Sequence, residues 1–124
     1  MTSWDDYKAE REGEALALVL AADAIHAANE TQDEARLQSA LEHNLQLWLA
    51  FKAISLNEKS IFPENTRESI IRLADFVSSE CVRMLNGKPC DNLQTIAEIN
   101  LQIAEGLLEA LKRTEQTLQA PAPN

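Results

Sequence analysis

Residues 31–56, TQDEARLQSALEHNLQLWLAFKAISL, decide the fold. The stretch has no Gly or Pro, is rich in the helix formers Leu, Ala, Gln and Glu, and has too little Val, Ile and Thr for a strand. At 100° per residue its large apolar side chains (Leu37, Leu41, Leu45, Leu47, Trp48, Leu49, Phe51, Ile54 and Leu56) spread over roughly 220° of the circumference. A helix resting on a core from one side needs a narrower stripe. Either this helix is central and covered nearly all round, or an apolar groove beside it stays open for a partner helix.

Working outward, Thr31 with Glu34 has capping-box spacing, which predicts a second helix over Gln32 to Leu56. Before it, Ser3 suits an N-cap and Asp5 and Asp6 suit the positive end of a helix dipole, so a first helix runs from Ser3 to Ala28 and Asn29 ends it. After it, 57–62 is a connection, and Pro63 fits the first turn of a third helix reaching Leu85. Asn86-Gly87-Lys88-Pro89 is a stop signal, since Gly takes a left-handed C-cap and Pro blocks resumption. Asp91 with Gln94 caps a fourth helix ending near Leu118. Residues 1–118 thus read as a single helical domain, with 119–124 a disordered Pro-rich tail. The fold class is all-α, a four-helix up-and-down bundle or a helical-hairpin arrangement with one helix splayed.

A chain of 124 residues with 45% apolar and 25% charged side chains buries one core without disulfides. Twenty acids oppose 11 bases for a net charge of −9, and no basic stripe occurs, so direct nucleic-acid binding is not expected. No run of apolar residues is long enough to span a membrane, and the opening MTSWDDYKAERE lacks the pattern of a signal peptide. The two cysteines, Cys81 and Cys90, form no framework or Cys-x-x-Cys pair and fit a reducing, cytoplasmic setting.

Candidate chemistry is sparse. Bundle di-iron sites use Glu-x-x-His pairs, and the nearest approach is a single Asp23 with His26; no metal or other cofactor is expected. His43 opens an alternative as a histidine phosphotransfer bundle, although Asn44, Leu45, Gln46 and Leu47 supply no cation for a phosphoryl group. Cys81 and Met84 fall on the apolar side of the third helix, and Cys90, beside Pro89, reads as exposed. With no catalytic triad, Gly-rich phosphate loop or paired carboxylates, enzymatic activity is not expected. Asn100 interrupts the stripe Leu93, Ile96, Ile103, Leu107 and Leu111; it either points to a groove edge or is buried and bonded, fixing register. Leu47, Trp48, Phe51, Ile103 and Leu107 are the candidate partner-binding residues, as groove or groove floor.

Three landmarks stand in order: Leu47-Trp48-Leu49-Ala50-Phe51, Phe62-Pro63-Glu64, and Glu98-Ile99-Asn100-Leu101-Gln102-Ile103-Ala104-Glu105-Gly106-Leu107. With Glu14-Ala15-Leu16-Ala17-Leu18-Val19-Leu20-Ala21-Ala22 before them, they resemble the FlaF family of flagellar biosynthesis regulators over nearly the whole chain. The resemblance implies a non-enzymatic bacterial cytoplasmic factor that binds flagellin as a chaperone and promotes its synthesis and export. It also implies action with or against the translational regulator FlbT. A homodimeric structural protein is the remaining alternative.

Overall fold

The computed structural model describes residues 3–57 and 64–119. Among these the regular structure is helical: α1 (Trp4–Thr31), α2 (Glu34–Leu56), α3 (Glu64–Leu85) and α4 (Leu93–Gln119). The expected Phe62-Pro63 helix start and residues 120–124 of the expected tail lie outside the described residues. Gln119, placed in that tail from sequence, belongs to α4.

Local chemistry sets the ends, partly against expectation. Ser3 Oγ accepts from the Asp6 amide at 3.1 Å, as anticipated. α1, however, runs past Asn29. Gln32 adopts a left-handed conformation (φ 55°), and the amides of Gln32 and Asp33 donate to Asn29 O and Ala28 O, the paired bonds of a Schellman motif. Thr31 is consequently the last residue of α1 and donates to Ala27 O, while Asp33 takes over as N-cap of α2 by accepting from the Arg36 amide. α3 closes on Gly87 (φ 85°) as expected, with Gly87 and Lys88 amides on Met84 O and Arg83 O. Asp91, expected to cap α4, is drawn off by Arg83. The Arg83 guanidinium reaches Asp91 at 2.6 Å, Glu80 at 2.6 Å and the Pro89 carbonyl at 3.0 Å, and Asn92 donates to Glu80. This cluster clamps the α3–α4 connection.

The topology is up-and-down. Lys8 pairs with Glu115 while Leu18 O meets Asn100, so α1 and α4 are antiparallel. Lys52–Asp75 and Asn44–Cys81 give the same sense to α2 and α3. α4 packs on α1, α1 on α2, and α2 on α3. α1 turns Ala15, Ala21, Ala22 and Ala28 inward, small side chains that allow close helix approach. Bulk comes from Trp48, Phe51, Leu41, Ile70, Val77 and Ile96, all buried. Trp48 and Phe51 rings meet at 5.8 Å and 50°, a tilted geometry favourable to aromatic pairs.

The centre contains one polar layer that reaches every helix. Asn100 of α4 accepts from Trp48 Nε1 at 2.8 Å and donates to Asn44 Oδ1 at 2.7 Å and Leu18 O at 3.2 Å. Asn44 in turn donates to Cys81 Sγ at 3.9 Å. Asn44 and Asn100 are fully buried, so Asn100 is buried and bonded and does not point to a groove edge. Burial pushes the Cys81 thiol above its usual range, with the Asn44 bond acting the other way, which leaves it a neutral packing group.

Candidate functional site

The clamp at Arg83 joins α3 to α4 at one end, and away from it the two helices do not close on each other. A groove of 380 Å³ remains there, walled by Thr66, Ser69 and Ile70 on α3 and by Ile103, Gly106, Leu107, Ala110 and Leu111 on α4. Its walls are mostly apolar and its rim carries Gln102, Arg113 and Thr114. That combination suits an amphipathic segment, whose apolar face enters while its polar face stays wet. Gly106 lies inside a helix, where Gly is about 1 kcal/mol less favourable than Ala. A Cβ built there meets nothing within 4 Å, so the intramolecular packing does not require Gly at this wall.

Tyr7 and Arg11 of α1 close one side of the groove. Arg11 is only 4% exposed; its Nε and Nη2 lie 2.6 and 2.8 Å from the two Glu14 carboxylate oxygens, and its guanidinium carbon sits 5.1 Å from the Tyr7 ring centroid. The Nη2 hydrogen bond and the close ion pair at Nε hold the planar cation in place. Burial raises the Glu14 carboxyl above its ordinary value, against the opposing pull of Arg11.

Of the residues expected to bind a partner, Ile103 and Leu107 come together in the groove wall. Trp48 and Phe51 do not. At 0% and 3% exposure they are core residues. Leu47 is half-buried against the core and does not line the groove. Sequence reasoning missed Tyr7, Arg11, Ile70 and Gly106. The available signals were the helix-interior Gly and the Arg11/Glu14 spacing of three.

The other candidates do not assemble a site. Asp23 and His26 are exposed, and His26 lies 3.2 Å from Glu30. His43 is exposed on α2, and Cys90 is exposed beyond α3. Among the described residues no group of three His, Cys, Asp or Glu is placed to hold a metal ion, and no helix is long and apolar enough to cross a membrane.

A family model described as flagellar protein FlaF matches residues 2–107, through the whole of α1, α2 and α3 and into α4 as far as Leu107. No curated protein matches the chain. No solved structure does either.

Proposed function

The chain belongs to the FlaF family of flagellar proteins, and from that premise we propose that it is a non-enzymatic cytoplasmic factor that binds flagellin in the α3–α4 groove. Binding there shields an amphipathic flagellin segment and promotes flagellin synthesis and export. The observation that carries this reading is the open groove itself, apolar on both walls and bounded by Ile103 and Leu107. An unassembled filament subunit must keep its assembly helices from pairing early, and a helix-in-groove complex does so without chemistry. A link to translation would run through a protein such as FlbT, since a chain of net charge −9 is repelled by the phosphates of messenger RNA.

The test is isothermal titration of purified flagellin with the wild-type chain and with Ile103→Gln. Ile103 is half-buried at the groove wall, so the variant should keep its helical circular dichroism and lose about tenfold in affinity, or about 1.4 kcal/mol. Equal affinity in the two proteins would remove the groove from the proposal. If wild type binds no flagellin but retains FlbT from the same host, the export role falls and the translational one stands.

A further inference from the structure

We propose that the outer seam between α1 and α4 is a second docking surface, fitted to a cationic amphipathic helix of a partner protein. Three apolar side chains, Val19, Leu101 and Leu108, line this seam, and two more, Leu16 and Leu20, are exposed on α1. Leu16 and Leu20 of α1 are 58% and 57% exposed, Leu101 and Leu108 of α4 are 43% and 46% exposed, and Val19 lies between the helices against Leu101 and Leu108. The seam is distinct from the groove, because Leu101 and Leu108 occupy the shoulder of α4 beside α1 whereas Ile103 occupies the shoulder beside α3. Leu101 and Leu108 are seven residues apart, about 10 Å along the axis, so the surface fits two to three turns of a helix.

Charge decides the occupant. α1 and α4 together carry 11 carboxylates and four cations, whereas α2 and α3 carry six and five. The chain's negative charge is thus concentrated in one layer. Glu12, Asp23, Glu98, Glu105 and Glu109 are exposed along the α1–α4 layer, with Lys112 as the nearby cation. A second copy offering the same face would set carboxylates against carboxylates, and an anionic membrane would be repelled likewise. A helix with Leu on one face and Lys or Arg flanking it gains from both the apolar strip and its acidic border. The α2–α3 seam, where Leu49 and Val82 are exposed to a similar degree, lacks that charge excess and serves as an internal control.

The experiment is fluorescence anisotropy of the full-length chain with a labelled amphipathic Leu/Lys peptide and with the same peptide carrying Glu for Lys. The Leu/Lys peptide should bind at least about tenfold more tightly and weaken steeply with salt. Leu101→Gln with Leu108→Gln should cost about tenfold while circular dichroism stays helical. Glu105→Lys with Glu109→Lys should do the same without touching the apolar strip. Leu49→Gln and Ile103→Gln should leave peptide binding unchanged, the latter keeping this surface separate from the groove. Equal binding of the two peptides, or equal losses from Leu49→Gln, would overturn the proposal. So would a light-scattering mass of twice 13.8 kDa that Leu101→Gln returns to one, because the occupant would then be a second copy.

Discussion

Asn100→Ala tests the polar layer at the bundle centre most directly. The side chain is fully buried, and its loss strands two groups at once: Trp48 Nε1, which donates to Asn100 Oδ1, and Asn44 Oδ1, which accepts from Asn100 Nδ2. A buried polar group left unpaired costs about 1–3 kcal/mol, and the small cavity adds to this. Destabilisation of about 3–5 kcal/mol is expected, a large fraction of the roughly 5–15 kcal/mol typical of a domain. Urea unfolding should be followed by circular dichroism at 222 nm, since Trp48 fluorescence is itself altered by the substitution. The sharper reading is a double-mutant cycle with Asn44→Ala. The two side chains are direct partners, so the double variant should cost about 1–3 kcal/mol less than the summed singles. A loss below about 1 kcal/mol for Asn100→Ala, or strict additivity, would refute the view that this layer acts as one unit.

Trp48→Ala should reduce stability by about 3–5 kcal/mol, as befits a fully buried residue, and any loss of partner binding should track the unfolded fraction when both are measured in urea. Gln32→Gly relieves a left-handed non-Gly residue and forfeits only the exposed Gln32-to-Asn29 side-chain bond; thermal unfolding should show a gain of about 0.5–1 kcal/mol. Gly106→Ala should add about 1 kcal/mol of stability and, by placing a methyl group in the groove wall, weaken flagellin binding in the same titration. Glu14 has its pKa raised by burial, with Arg11 opposing. A carboxyl that holds its proton more tightly when folded contributes stability fully present below its unfolded pKa, which is lost as pH rises through the folded value. Glu14→Gln also disturbs Arg11 at every pH, so the slope is diagnostic: from pH 4 to 7 the melting temperature of the variant should rise relative to wild type, and a flat or falling difference would contradict the burial assignment.

Helix count and class were legible because the signals are local. Ser3 as N-cap and Gly87 as C-cap are each decided by a few residues, and the structure places both as read. The misreadings arose where a local signal had a competitor. Thr31 and Glu34 have capping-box spacing, but a Gln in left-handed conformation carries no sequence mark, and its Schellman bonds extend α1 through Thr31 and pass the cap to Asp33. Asp91 had a suitable capping position, but Arg83, eight residues away, offers a stronger charge-assisted bond.

The candidate site was legible only in part, because a groove is a relation between helices and periodicity describes each helix alone. Leu49 and Trp48 are adjacent, yet one is 48% exposed and the other 0%. Neighbours on a helix point about 100° apart, and it is packing, which brings Asn100 of α4 to the Trp48 indole across 52 residues of chain, that decides which of the two is buried. Ile103 and Leu107 were identified from the stripe, while their opposite wall depends on α3 and α4 parting beyond the Arg83 clamp. Charge behaves the same way. A net −9 argues only for solubility when spread over a chain. Once the first helix packs against the last, their carboxylates share one layer, and an overall charge becomes a face with a preference for cations.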